Sequence, residues 1–379
     1  MADDPSDGKL LETPLAAAHL SAGARMVPFA GYAMPVQYPD GIIAEHLWTR
    51  SHAGLFDVSH MGQARLTGPD FATAAAALEH LVPADIAGLR PGQQRYTQLL
   101  NEEGGIVDDL MVVRPLEPQS PGEILIIVNA ATKEADYRLI EASLPDKVLL
   151  QRLDRLALIA LQGPSAVSVL SALAPAAADM TFMSARRLTV AGIEVHASRS
   201  GYTGEDGYEI SVPTGEAGQL WETLLADQRA MPIGLGARDS LRLEAGLALH
   251  RPHNNHGPPP AAARHPPELQ NRRRDEGGFP GRLRITRELA EGPIRRRVGI
   301  KVEGRAPVRE HAGILDKDGE LVGKVTSGGF APSVGGPIAM GYVVSEFAKP
   351  GTALGLELRG RRVAGTVVPL PFTPHRYKR

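Results

Sequence analysis

Two adjacent carboxylates, Asp108 and Asp109, stand in the stretch NEEGGIVDDLMVV (residues 101–113), between a Gly-Gly turn and an apolar run suited to a buried strand. Side chains alternate along a strand, so the pair points to opposite faces and at most one can reach a given pocket. A carboxylate beside residues 110–113 is costly to bury unless something hydrogen-bonds or uses it. The chemistry open to it is proton transfer, or stabilisation of positive charge that develops during a reaction. Turn chemistry competes with that reading, because Asn-x-x-Gly-Gly and Asp-Asp are also ordinary hairpin residues. Glu209 and Arg238 carry no such signal of their own. On spacing alone they read as an exposed strand carboxylate and a helix-surface ion-pair partner.

Composition narrows the chemistry. The 379 residues include no cysteine, which excludes disulfides, thiol nucleophiles and thiolate-bound metals. A net charge of −2 predicts no general attraction to nucleic acid or to an anionic membrane. No run approaches the ~18 apolar residues needed to span a bilayer. The opening residues, MADDPSD, are acidic and read as neither a secretory signal nor a transit peptide. The expectation is a soluble, cytoplasmic chain, long enough for two or three domains.

The elements that must position these groups follow in order. A short helix is expected over 14–21, then a stretch punctuated by Pro and Gly (26–38), and a helix over 41–52. Residues 54–62 are dense in polar groups for a strand. An Ala-rich helix over 71–81 is closed by Pro83. After the Asp-Asp strand comes the apolar run ILIIV (124–128) ending on Asn129, and Thr132 can cap the next helix. A strand over 156–161, a helix opened by Gly163-Pro164, a hairpin turning near Gly192 and a helix around 221–225 complete the first two thirds. From about 296 short strands and turns dominate, which predicts a small C-terminal β domain. Strands and helices mix without a βαβ rhythm, so the fold class is read as α+β.

Residues 250–275 break the pattern. Six prolines, five arginines and four of the twelve histidines fill 15 of 26 positions, and Leu269 is the only large aliphatic residue. A disordered linker fits that composition. A metal set of His250, His253 and His256 fits the spacing, but the prolines deny it a preformed helical face. A local slip of the coding frame, recovered near 276–281, is the third explanation. On the missing periodicity the segment is expected to be irregular and poorly packed, open to trypsin at Arg264 and at 272–274.

Taken together the words resemble the aminomethyltransferase, or T-protein, family of the glycine cleavage system. The words are FAGYAMPVQY (29–38), LFDVSHM (55–61), residues 101–110, LQGP (161–164), 201–209, 236–245 and VTSG (325–328). They occur in family order over about 11–249 and 276–377. The family continues after residue 247 with words that are absent here, which favours the frame slip and implies weakened folate binding.

The resemblance implies a three-domain cloverleaf around a central folate pocket, with a C-terminal β-barrel-like domain. Its expected parts are 1–55 with 138–235, 56–137 with 236–275, and 276–379. It implies transfer of a one-carbon unit from an aminomethyl group on the lipoyl arm of H-protein to tetrahydrofolate, with release of ammonia. No metal, nucleic acid or membrane partner is expected. Asp109 matches the family's catalytic carboxylate and Asp108 would serve structure. Glu209 matches the pterin-binding glutamate, since a carboxylate accepts side by side from the 2-amino group and ring N–H. Tyr202, Arg238 and Tyr377 match folate-contacting positions. Met61, Tyr96, Leu125, Ile127 and Asn129 fall on the remaining ones, and Arg376, Lys378 and Arg379 could meet the folate's glutamate tail. Two alternatives stay open: a folate binder without turnover, and a folate-linked demethylating enzyme of methylated glycines. The latter joins a flavin domain, and no Gly-x-Gly-x-x-Gly fingerprint follows an N-terminal strand here.

Overall fold

The computed structural model describes residues 9–249 and 270–379. The expected metal set at His250, His253 and His256, and the frame slip as far as residue 269, lie outside the described residues.

The chain opens with α1 (Ala16–Ser21), the hairpin β1 (Arg25–Phe29) and β2 (Tyr32–Gln37), α2 (Gly41–Ser51) and β3 (Ala53–Asp57). The stretch that reads only as Pro and Gly punctuation is thus a β-ribbon, turning at Ala30 and Gly31, both with positive φ. A two-stranded ribbon has only edges, so Pro28 and Pro35 break no central ladder. Next come β4 (Gly62–Thr67), α3 (Phe71–Glu79), β5 (Gln93–Leu100), β6 (Ile106–Arg114), β7 (Ile124–Val128), α4 (Lys133–Ser143) and β8 (Leu149–Arg152). The third stretch holds β9 (Leu156–Gln162), α5 (Ala166–Leu173), β10 (Ser184–Val190), β11 (Ile193–Arg199), β12 (Gly207–Pro213), α6 (Ala217–Leu225), β13 (Ala230–Pro232) and α7 (Leu235–Glu244).

Eleven of these strands form one sheet in the order β13-β3-β9-β12-β11-β10-β5-β6-β7-β4-β8. Its two halves meet where β10 pairs with β5 through Ser184 and Gln93. Each half buries one face under helices. Leu55, Ile159, Leu161, Val190, Ile210 and Trp221 belong to one core. Leu66, Leu78, Leu99, Val112, Ile126 and Ile140 belong to another. The other faces share a smaller core of Phe56, Val58, Leu158, Ala160, Ala237 and Leu241, against which Met61 and Ile127 pack. The site is built on these inner faces.

Beyond the undescribed stretch come α8 (Asn271–Glu276), α9 (Arg282–Glu291) and the strands β14 (Arg295–Val302), β15 (Gly313–Leu315), β16 (Leu321–Ala331), β17 (Gly336–Val344), β18 (Ala353–Leu358) and β19 (Arg361–Val368). The last six close a barrel in the order β14-β17-β16-β15-β18-β19, so the α+β cloverleaf with its C-terminal barrel is the observed fold. The expectation of an irregular, poorly packed 250–275 is corrected at its C-terminal end. There α8 is helical, Arg273 is only 4% exposed, and its Nη2 donates to the carbonyls of Glu79 and Val82. Arg272 binds the carboxylates of Glu79, Asp85 and Glu276. Charge pairing replaces the aliphatic burial that the composition lacks.

Candidate functional site

Asp109 faces the inner side of β6 and Asp108 the core side, as alternation requires. The register places Gln98 of β5 opposite Asp109 and Tyr96 opposite Met111, so these four share the inner face. The Tyr96 hydroxyl donates to Asp109 Oδ2 at 2.9 Å. Burial first, and then the Asp109 charge, pushes the Tyr96 hydroxyl well above its ordinary pKa, so it stays a donor. On β7 the buried positions are Ile124, Ile126 and Val128, which turns Leu125 and Ile127 inward and leaves Asn129 at the strand end. Asn129 Nδ2 reaches Asp109 Oδ1 at 2.6 Å and Asp108 Oδ1 at 2.9 Å. Asp108, 1% exposed, also accepts from the Thr132 hydroxyl. Thr132 therefore does not cap α4 with its side chain, as its position predicts; that oxygen is engaged with Asp108.

In the other half of the sheet, Glu209 of β12 pairs with Ser198 of β11, and Ser200 Oγ donates to Glu209 Oε2 at 2.6 Å. Leu125, Ile127 and Glu209 line one cavity of 340 Å³, together with Gln63, His196 and Ser211. Arg238 rises from α7, with its guanidinium 5.1 Å from the Tyr202 ring centroid. Burial lowers the pKa of Arg238, while the charge of Glu209 opposes the shift. Its buried Nη1 has no hydrogen-bond partner. The Tyr202 hydroxyl donates to the carbonyl of Ala248 and is pushed up to about 12 by burial, with Asp109 adding to the rise and Arg242 and Arg238 opposing it.

Most of the sequence-derived residues thus belong to the inner faces, and charge links them: Asp109 acts on Tyr202, and Glu209 and Tyr202 act on Arg238. Asp109, Tyr96, Asn129, Met61, Leu125 and Ile127 come from one half of the sheet. Glu209 comes from the other half, and Arg238 and Tyr202 lie between. Tyr377 sits at the side, stacked on Phe182 with ring centroids 3.9 Å apart, and the charges of Glu205 and Glu209 act on its hydroxyl. Arg376 and Lys378 are engaged with protein groups, Glu205 and the carbonyl of Ala178 respectively.

Sequence reading missed the residues that hold these groups in place. Ser200 fixes Glu209. Gln94, 4% exposed, lies within 3.5 Å of Ser200 Oγ. Gln98, 6% exposed, has a buried Oε1 without a donor. Period-two spacing with Tyr96 along β5 was the available signal, and an apolar-periodicity reading passes over it. Among the described residues no group of three His, Asp or Glu could hold a metal ion. A larger, more open depression between α3 and the end of α4 is lined mainly by Ala72, Thr73, His80 and Pro145, and gathers no carboxylate.

Residues 15–256 match the family model of the GCVT N-terminal domain, and residues 295–373 match the glycine cleavage T-protein C-terminal barrel domain. The chain is 41% identical over 392 residues to the mitochondrial aminomethyltransferase of Dictyostelium discoideum, covering 99% of this chain and 95% of that protein. It is 42% identical over 376 residues to the mitochondrial aminomethyltransferase of Homo sapiens, with 97% and 91% covered. The crystal structure of glycine cleavage system aminomethyltransferase T from Bartonella henselae matches with a TM-score of 0.89 and 40% identity, covering 98% of this chain and all of that one.

Proposed function

The chain belongs to the aminomethyltransferase (T-protein) family of the glycine cleavage system, and on that premise we propose how its central cavity performs the transfer. The protein is an aminomethyltransferase: it passes the methylene of an aminomethyl group to tetrahydrofolate and releases ammonia. The aminomethyl group arrives on the lipoyl arm of H-protein. Glu209 receives the pterin end, and the residues around it fit that role. Ser200 engages Oε2 of Glu209, and the buried Arg238 Nη1 beside it is a donor awaiting an acceptor. Leu125, Ile127 and Met61 exclude water from the ring, Tyr202 lies against it, and Tyr377 closes the side.

Asp109 acts at the nitrogens that receive the carbon. Its carboxylate is oriented before substrate arrives, by Tyr96 on one oxygen and Asn129 on the other. Fixed charge of this kind stabilises positive charge developing on the transferred carbon without reorganisation during the step. The same oxygen can take the proton that N-5 loses as its bond to carbon forms. Tyr96 and Asn129 keep the carboxylate aimed, and neither titrates in the working range.

The observation that carries this reading is that Asp109 and Glu209 both stand on inner faces of one sheet, with Tyr202 under the charge of the first and Arg238 under that of the second. Its test separates the two roles. Asp109→Asn should lower kcat by ~10²-fold or more with tetrahydrofolate affinity near that of the wild type, measured with aminomethylated H-protein. Glu209→Gln should weaken folate binding in calorimetry by about tenfold or more. The reverse assignment of effects overturns the reading.

A further inference from the structure

Behind Asp109, on the core side of the strand, lies a carboxylate that the site above does not use. Asp136, in the first turn of α4, is 1% exposed, and neither of its carboxyl oxygens has a hydrogen-bond donor. Asp136 lies one helical turn after Thr132, whose hydroxyl donates to Asp108, and the charges of Asp108 and Asp109 act on its carboxyl. Two carboxylates cannot hydrogen-bond to each other unless one carries a proton, and two buried like charges in contact do not both ionise. Lys133, three residues earlier on the helix, does not supply the compensating charge, because its ammonium is bound by the Tyr32 hydroxyl and the His60 carbonyl. Burial, and then the Asp108 charge, raises the Asp136 carboxyl to about 9.

We propose that Asp136 is a positioning residue for the transfer reaction, holding a proton that it donates to Asp108 and thereby fixing the Asn129 amide that orients Asp109. The stoichiometry of donors and acceptors fits. Asp108 accepts from the Thr132 hydroxyl and from Asn129, and the proton on Asp136 adds a third donor. The Asn129 amide has two hydrogens, one for Asp108 Oδ1 and one for Asp109 Oδ1. With its amide reversed, Asn129 would set an oxygen against two carboxylates. The acceptor oxygens of Asp108 and Asp109 select the donor orientation, and a proton held on Asp136 spares Asp108 a second buried charge beside it. No proton passes to substrate along this chain, because an amide does not relay one; the effect on Asp109 is orientation and charge.

The proposal rests on the reading of Asp109 as the working carboxylate, and its test has one arm that does not. Infrared spectra of the wild type at pH 7 should contain a protonated-carboxyl C=O stretch that Asp136→Asn abolishes and Asp109→Asn leaves in place. In turnover, Asp136→Asn supplies an N–H where the acid supplied O–H, so kcat should stay within about threefold. Asp136→Ala should lower kcat about tenfold or more at unchanged KM for tetrahydrofolate. The wild type should also lose activity as pH rises through about 9, and Asp136→Asn should lack that step. Identical carbonyl regions in wild type and Asp136→Asn overturn the proposal whatever the reaction is. Equal damage from the Asn and Ala variants overturns it as well. A band that disappears as expected in a protein whose Asp109→Asn variant is fully active would sink the reading of Asp109 and leave the shared proton standing.

Discussion

Asp108 and Asp109 share a peptide bond, yet their side chains live in different solvents. Asp109 shares the inner face of the sheet with Tyr96, whereas Asp108 is enclosed with Thr132 and Asn129. Period-two alternation made that division legible in the sequence. Asp136 was not legible, because an acidic residue in the first turn of a helix ordinarily faces water and favours the helix dipole. The sequence around it, KEADY, carries no mark of burial; only the tertiary fit of α4 against β6 supplies one. Asp108→Asn should therefore act on stability more than on turnover, since it disturbs three buried partners without touching substrate. Denaturant unfolding and kcat measured side by side check this, and a loss confined to kcat would show the wrong face of the strand was chosen. The proton on Asp136 gives a second test. Burial pushes its carboxyl up to about 9 in the folded protein, from an ordinary 3.8, so the native state binds a proton that the unfolded chain releases. Stability from this group is complete below about pH 4 and falls as pH rises toward 9, by at most about 1.4 kcal/mol per pH unit. Asp136→Asn removes that slope. Its stability relative to wild type should thus improve steadily from pH 5 to 8, and parallel curves would contradict the buried acid.

At the scale of elements, the helices and strands with clear apolar periods are where the sequence predicts them; the β1–β2 ribbon does not read as strands, nor does α8 read as a helix. Its text, NRRRDE, has no apolar face, so nothing local foretells order. What orders it is the acidic edge of the second core, Glu79 and Asp85, approached from far along the chain. The element that delivers it is the loop at Gly281, which crosses the turn at Gly104. A Cβ on Gly281 would lie 2.0 Å from Gly104 Cα, and both glycines have positive φ. Here the Gly-Gly turn before Asp108 serves a second purpose that hairpin chemistry does not suggest: it lets α9 dock, with Ile285 and Phe279 packed on Leu100. Gly281→Ala should cost about 2 kcal/mol or more through the clash and the left-handed backbone. It should also expose α8, so trypsin should cut at Arg272, Arg273 and Arg274 in the variant well before it does in the wild type. Equal cleavage of the two proteins would mean the crossing does not hold α8 in place.

For the whole molecule the question is what joins the barrel to the sheet so that the cavity keeps its shape. The inner core is small and α7 lies between the two bodies, where Leu243 packs on Ala331, Ile338 and Met340 and a polar link runs beside it. Glu244, at the end of α7, is fully buried. One of its oxygens accepts from the Ser333 backbone N–H in the barrel at 2.8 Å. The other meets His46 Nε2 at 3.1 Å and Arg50 Nη2 at 3.0 Å, both from α2. Arg50 continues to Glu205 at 2.9 Å, beside the loop that carries Tyr202. None of this could be read from the sequence, because the partners are separated by as many as 287 positions, as His46 is from Ser333. Burial alone would raise the Glu244 carboxyl, but hydrogen bonds from His46 and Ser333 and the charges of His46 and Arg50 hold it at about 2. A depressed folded pKa contributes stability above the unfolded value of 4.5, and that contribution is lost as pH falls toward 2. Glu244→Gln keeps the volume but leaves Arg50 and His46 short of a buried anion. Removing one partner of such a network costs about 3 kcal/mol. Calorimetric unfolding at pH 7 should show that loss, and between pH 4.5 and 2 the variant should lose less stability than the wild type. Because the link runs beside Tyr202, tetrahydrofolate affinity should fall in the same variant, although Glu244 is no part of the pocket wall. A variant as stable as the wild type at pH 7, with an unchanged acid limb, would mean that apolar packing around α7 alone joins barrel to sheet.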